Sequence, residues 1–450
     1  MLKVIANKIQ SVSALTEKNN HSLKNRLIKG AAGSFGLKVA SSGITFLMSI
    51  IFARFLGTAG LGTYSYATTW ANLLSIPATL GIDKLIVRDI AIYRAKSRWE
   101  LMAGLLRWSN LVVLAFSIGL TLVATMVVWG IRGDSDPTVF IAVALAMVTI
   151  PIASLRNLRL GAMRGLHRVV IGQIPNAIFA PTIILSLTSL AYMLFPQNSS
   201  VFWVLGFKII AIVVTFFISS LWLWRSLPKE VKQVKPQVKG KEWLTAALPF
   251  MFLGTTQLIN SKLDLIMLGG FKGVQAVGIY TVIAGIAQLT AFIHHSVLSV
   301  LAPNIATLYS EGKLKQLEKL VQKSVMAVFL ISLLIGGTII LLGNYLLLIF
   351  GSGFLPGRTA MNILIVGQIF NALTGPVGLL LNMTGYQNYT AIAVGISAVL
   401  NAVLNFLLIP QWGINGAAVA TTTSLIIINI VKVILMQKKL NISLYSPRFK

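Results

Sequence analysis

Cysteine is absent from all 450 residues. That removes disulfides, thiolate metal sites and a cysteine nucleophile. Histidine is scarce at four residues, and neither an H-E-x-x-H spacing nor a phosphate-cradling glycine loop occurs. Acids are few, with 11 Asp and Glu against 38 Lys and Arg. Charged residues of both signs make up 11% of the chain, well under the ~25% of soluble domains. Metal, nucleotide or paired-carboxylate catalysis therefore has little to draw on, and no enzyme activity is expected. What fills the chain is apolar: 56% of residues are hydrophobic. That composition defines an integral membrane protein. A net charge of +27 in a soluble protein would suggest nucleic acid, with the basic residues on polar faces. Here they fall in short gaps between long apolar runs, so no nucleic-acid partner is expected.

Twelve runs are long enough to span a ~30 Å hydrocarbon core as helices. They cover 31–55, 61–82, 108–130, 138–158, 169–194, 201–224, 243–269, 278–302, 324–350, 358–381, 390–409 and 415–436. None shows the short alternating segments of a β-barrel, so the fold class is all-α. Six alternate gaps, 1–30, 83–107, 156–168, 225–241, 303–323 and 438–450, hold 30 of the 38 basic residues. Positive charge stays on the cytoplasmic side, which puts both termini inside a multi-pass protein of the plasma (inner) membrane. Residues 1–30 are a basic cytoplasmic segment, either a surface helix carried by Leu2, Val4, Ile5, Ile9 and Val12 or a basic tail.

The chain repeats itself. The stretch 55-FLGTAGLGTY-64 aligns with 271-FKGVQAVGIY-280, matching Phe55/Phe271, Gly57/Gly273, Gly62/Gly278 and Tyr64/Tyr280 at an offset of 216. A second echo joins 163-MRGLHRVVIG-172 to 383-MTGYQNYTAI-392. Duplicated units are a transporter signature. The expected organisation is a six-helix bundle over 31–224, a cytoplasmic basic linker over 225–242, a second bundle over 243–436 and a tail over 437–450. Six spans per unit give both the same orientation, related by an axis along the membrane normal, with a central cavity between them.

Ionisable groups inside spans are costly and normally face a cavity or a partner. Lys38, Lys208, Lys262, Asp264 and Lys432 are so placed. Lys38 shares a helical face with Ser41, Ser42 and Thr45, and Asp264 closes a stripe with Gln257, Asn260 and Ser261. Gln288 and His295 share another face. These stripes are expected to line one wet, basic cavity, with Arg54 at its outer mouth. Lys432 lies near a cytoplasmic end and is expected to snorkel. Asp264 and Lys262 are two residues apart, so a regular helix points them to opposite sides.

The segments 54-RFLGTAGLGTYSYA-67, 80-LGIDKLIVRDIA-91, 164-RGLHRVVIGQIP-175, 249-PFMFLGTTQLINSKLDLIMLG-269 and 278-GIYTVIAGIAQLTAFIHHSVLSVLAPNIA-306 resemble those of Wzx-type oligosaccharide-lipid flippases. These belong to the superfamily that also holds multidrug extruders and the lipid II flippases. The resemblance covers nearly the whole chain and is specific as a set of motifs. It implies two six-helix bundles around a cavity. It also implies flipping of an undecaprenyl-diphosphate-linked oligosaccharide repeat unit to the outer leaflet, for export of polysaccharides such as O-antigen or exopolysaccharide. A polysaccharide polymerase and a chain-length regulator are the implied protein partners, and membrane lipids the surroundings. A diphosphate needs cations: Lys38, Lys208 and Lys262 in the cavity, Arg54 at its mouth, and Arg156, Arg159, Arg164 and Arg168 gathering the headgroup at the inner leaflet. No cofactor is expected beyond a coupling ion, H+ or Na+, at Asp264. The alternatives are a multidrug or cation antiporter of the same superfamily, and a membrane-embedded glycosyltransferase or polymerase. The short outer loops, such as 195-FPQNSS-200, disfavour the latter.

Overall fold

In a computed structural model the described residues are 2–131, 136–195, 200–440 and 442. The side chains of residues up to 32, and of Gln257, Asn260 and His295 among others, lie outside the described set, as do the expected polar faces that rest on them. In lipid every backbone group must be bonded within its own segment, and Leu-, Ile-, Val- and Ala-rich runs without polar competitors meet that demand as helices. The first half comprises α1 (Leu2–Ala78), α2 (Ile82–Ala95), α3 (Trp99–Ile131), α4 (Pro137–Met147), α5 (Thr149–Gly165), α6 (Val169–Ile174), α7 (Ala180–Leu194) and α8 (Val201–Ser226). A π-turn at Pro175–Phe179 joins α6 to α7, where the proline lacks the N–H a regular turn would use. After α9 (Lys229–Gln233) come α10 (Gly240–Ser310), α11 (Leu314–Leu341), α12 (Gly343–Phe350), α13 (Arg358–Thr374), α14 (Val377–Met383) and α15 (Gln387–Leu440).

Three of these helices are hairpins. Gly57, Gly273 and Gly413 take φ of 67°, 78° and 55° inside α1, α10 and α15, a left-handed region that glycine enters without a Cβ clash. Phe52 and Tyr64 are twelve residues apart, which on a straight helix is ~18 Å. Their ring centroids are 5.1 Å apart, so α1 folds back at Gly57. Asp264 and Tyr280 in α10, and Asn401 and Thr421 in α15, are likewise brought to 3.0 and 3.5 Å. Among the described residues eight helices are long and apolar enough to cross a membrane, or nine if Ser352–Thr374 and Val377–Met383, bent by 42°, form one span. Twelve were expected. The numbers differ because three pairs of expected runs, 31–55 with 61–82, 243–269 with 278–302 and 390–409 with 415–436, are each joined across a glycine reversal and count as one helix here.

The halves meet at the end that carries these glycines. A Cβ on Gly62 would overlap the carbonyl of Val274, and one on Gly278 the carbonyl of Thr58. Both pairs are related by the 216-residue offset, so the contact is reciprocal. The largest core cluster joins Phe52, Phe55 and Leu61 to Ile279, Ile283 and Phe350 at this junction. At the opposite, basic end, a Cβ on Gly81 would overlap Ala247, and Phe35 meets Phe292 at 6.5 Å. The linker folds onto the first half there. Val231 is buried, the Gln237 N–H donates to Glu100 O at 3.0 Å, and Trp243 Nε1 donates to Tyr93 Oη at 2.9 Å.

Candidate functional site

The ionisable residues expected to line one cavity fall into four separate places. Lys38 lies between the halves. Phe35 and Phe46 are three turns apart on one face of α1, and they touch Phe292 and Phe350 of the second half. Lys38, Ser42 and Thr45 occupy the same face between them and are exposed. On α10 of the second half, Ser261 is exposed and Lys262 half-buried.

Asp264 lies elsewhere, among the arms of α10 and α15. Its Oδ2 accepts from Tyr280 Oη and from Thr421 Oγ1, both at 3.0 Å. Asn401 Nδ2 reaches Thr421 Oγ1 at 3.5 Å, and Asn405 Nδ2 donates to Asn401 Oδ1 at 3.0 Å. Asn405 Oδ1 is buried without a partner. Among the described residues no lysine or arginine forms an ion pair with Asp264. The result is an oxygen-rich pocket around one carboxylate, the ligand chemistry of a proton or a small hard cation. The expected stripe shared with Gln257 and Asn260 falls on side chains outside the described set. Tyr280, Thr421, Asn401 and Asn405 were missed by the sequence reading. Tyr280 carried a usable signal as the partner of Tyr64 in the repeat, and Thr421 begins a polar Thr-Thr-Thr run in an apolar span.

Lys208 is inside the first half, not between the halves. Its Nζ sits 5.7 Å from the centre of the Tyr64 ring. Arg156 and Arg159 are not in a cytoplasmic loop as the gap 156–168 implied. The helix α5 continues to Gly165, so both arginines project among α3, α5 and α8. Arg156 Nη1 donates to Thr215 Oγ1 at 3.3 Å, while its Nε is buried without a partner. Arg159 donates to Asn110 Oδ1 and to Ser220 Oγ, and its guanidinium lies 4.8 Å from the Phe216 ring centre. Polar partners on neighbouring helices let α5 carry its charges into the bundle. Arg164 is half-buried at the end of α5, and Arg168 is exposed just beyond it.

Arg54 is engaged across the junction. Its Nε and Nη2 donate to Ile349 O and Leu348 O at 2.8 and 2.7 Å. These are orphan carbonyls at the last turn of α12, where a cation also complements the helix dipole. Arg54 thus fastens the two halves together at the glycine end, instead of lying free at a cavity mouth.

Solved transporters share this architecture. An inward-facing multidrug resistance MATE family transporter of the MOP superfamily matches with a TM-score of 0.75 at 14% identity, over 89% of this chain and 94% of that one. The lipid II flippase MurJ in an inward closed conformation matches with a TM-score of 0.70 at 13% identity, over 91% and 87%. The fold is that of a MOP-superfamily transporter.

Within that class, the polysaccharide biosynthesis protein family model matches residues 27–309, and the chain belongs to this family. The MatE model matches residues 249–407. The capsular polysaccharide biosynthesis protein CapF of Staphylococcus aureus is 24% identical over 88% of this chain and 96% of its own length. The probable low-salt glycan biosynthesis flippase Agl15 of Haloferax volcanii is 23% identical over 88% and 81%. The resemblance to Wzx-type flippases read from the sequence is borne out at the level of the family.

Proposed function

We propose that the protein flips an undecaprenyl-diphosphate-linked oligosaccharide from the cytoplasmic to the outer leaflet of the plasma membrane, by alternating access between its two halves. The observation that carries this reading is the place of Lys38. It is an exposed ammonium two turns into the first apolar run, on the face of α1 that meets the second half. An ammonium facing lipid costs up to ~2.5 kcal/mol on insertion scales and less where it can snorkel, and water with an anionic ligand between the halves removes that cost. Lys262 supplies a second cation from the other half, and Ser42 and Thr45 supply hydroxyls for sugar or phosphate oxygens. Family membership and the flippase names among the relatives support the same substrate class. Lys38→Gln and Lys262→Gln should each lower surface polysaccharide about tenfold in cells that depend on this protein, with expression unchanged. That is the effect of removing one charge-assisted hydrogen bond. Full export by both variants would overturn the reading.

The proposed orientation follows from the basic gaps: the glycine end faces outward and both termini face the cytoplasm. With no native cysteine, single introduced thiols report it cleanly. Ser135→Cys and Asn198→Cys should react with an impermeant maleimide applied from outside, and Lys235→Cys should not. The reverse pattern would invert the topology.

A second reading, a cation extruder, is favoured by the Asp264 pocket, whose Asp264, Tyr280, Asn401 and Asn405 lie within the MatE match. We assign that pocket to coupling, with H+ or Na+ as the bound ion. It holds a single acid and lies apart from Lys38.

A further inference from the structure

Arg159 extends from α5 to the helices on either side of it. It donates to Asn110 Oδ1 on α3 and, through Nε, to Ser220 Oγ on α8 at 3.2 Å. The Phe216 ring centre lies 4.8 Å from the guanidinium, so ring and hydrogen bonds together fix its plane. None of its bonds to described residues uses Nη2. Two more cations border the same groove. Arg107 is one turn before Asn110 on α3 and is exposed. Trp224 is one turn beyond Ser220 on α8, and the Lys232 Nζ of α9 sits 4.0 Å from its ring centre. One turn is about 5 to 6 Å of rise, so the three cations share one end of the groove. The linker is held there, because Val231 beside Lys232 is buried in the core of the first half. Glu100 and Glu230 are the acids nearest in sequence, and neither pairs with any of the three among the described residues. Below the cations the groove is apolar at its rims. Leu111 on α3 is 71% exposed, and Phe217 on α8 is 65% exposed.

We propose that this groove binds an anionic phospholipid of the leaflet at the basic end. The phosphate accepts from Arg159 Nη2 and lies between Arg107 and Lys232, and the acyl chains run along Leu111 and Phe217. Charge complementarity carries the assignment: three cations without a protein counter-charge meet a phosphodiester through charge-assisted bonds. Basic pockets between spans beside the basic loops suit such headgroups. The apolar rims add the second half of an amphipathic ligand, which a free anion would leave unused. Bound there, the lipid ties the linker to α3, α5 and α8. The groove belongs to helices of the first half and lies apart from the face of α1 that carries Lys38. The reading therefore goes beyond the flippase proposal and does not depend on it.

The test uses the purified full-length protein in mixed micelles at fixed ionic strength, with phosphatidylglycerol titrated in place of phosphatidylcholine. Binding to the folded state alone raises Tm with ligand concentration. The expected result is a saturable rise of several degrees with phosphatidylglycerol and none with phosphatidylcholine or inorganic phosphate. The Arg107→Gln, Lys232→Gln double variant should need about tenfold more phosphatidylglycerol for the same rise. Lys38→Gln should respond as the parent does, which separates this site from the surface between the halves. If the double variant does not fold, a fluorophore on Phe217→Cys decides the question, since the chain has no other thiol. Spin-labelled phosphatidylglycerol should quench it at a several-fold lower mole fraction than spin-labelled phosphatidylcholine. No rise with phosphatidylglycerol, an equal rise with phosphatidylcholine or inorganic phosphate, a response unchanged in the double variant, or equal quenching by the two lipids overturns the site.

Discussion

Gly62→Leu should abolish transport while leaving the protein in the membrane. In the observed state the backbone at Gly62 touches the backbone at Val274, and Gly278 touches Thr58 in the same way. No side chain fits. The obstacle is a carbonyl, which cannot rotate away as a flexible side chain would. A leucine at either position therefore holds the halves apart at the glycine end, and the cycle cannot return to the closed arrangement. By the pseudo-symmetry of the contact, Gly278→Leu should have the same effect. Arg54→Gln should act in the same direction but more weakly. Its two bonds to Ile349 and Leu348 lie on an exposed side chain, so losing them shifts the balance by about 1 kcal/mol, about fivefold. The measurement is cross-linking by a bifunctional maleimide between cysteines at Thr58 and Val274. It should be efficient in the parent, reduced by Arg54→Gln and absent in Gly62→Leu. Normal transport by Gly62→Leu would show that this junction never needs to close.

Asp264→Asn should remove the dependence of transport on an ion gradient while changing thermal stability little. The amide keeps an acceptor oxygen for Tyr280 and Thr421, so the hydrogen bonds seen in the fold survive. What it loses is the charge that holds a proton or sodium ion. The apparent ion affinity should fall about ten- to a hundredfold, the worth of a charged bond. The physical idea is that a bound ion favours one arrangement of the halves by its differential affinity alone. Transport by the variant, measured with and without H+ and Na+ gradients, should be equal in both. A large loss of stability with gradient dependence intact would make Asp264 a structural residue.

Much of the fold was legible because lipid leaves the chain few choices. Apolar runs of about 20 residues become helices, and the runs at 108–130 and 201–224 fall inside α3 and α8. The Gly57/Gly273 repeat also had a visible physical meaning, since both positions take the left-handed backbone of a helical hairpin. The sites were less legible. Helical periodicity says which residues share a face but not what the face meets. It joined Lys38 to Ser42 and Thr45 correctly and could not tell that Lys208 turns toward Tyr64 inside its own half. Arg156 and Arg159 were read as loop residues because charge counting treats every cation near a span end as solvated. Their partners Thr215, Asn110 and Ser220 come from helices some 50 to 60 residues away in sequence. Asp264 was recognisable as a lone acid in an apolar span. Its ring of Tyr280, Thr421, Asn401 and Asn405 forms only when two hairpins pack together.

The most direct test of the account is reconstitution. The purified protein, in vesicles, is given a fluorescent oligosaccharide on an undecaprenyl diphosphate, and loss of signal to an impermeant quencher reports arrival in the opposite leaflet. The account predicts translocation well above protein-free vesicles, loss of most of it in the Lys38→Gln, Lys262→Gln double variant, and none for an undecaprenyl lipid that carries the same fluorophore without diphosphate and sugar. Equal rates with and without the protein, or equal rates with and without the charged headgroup, would contradict it.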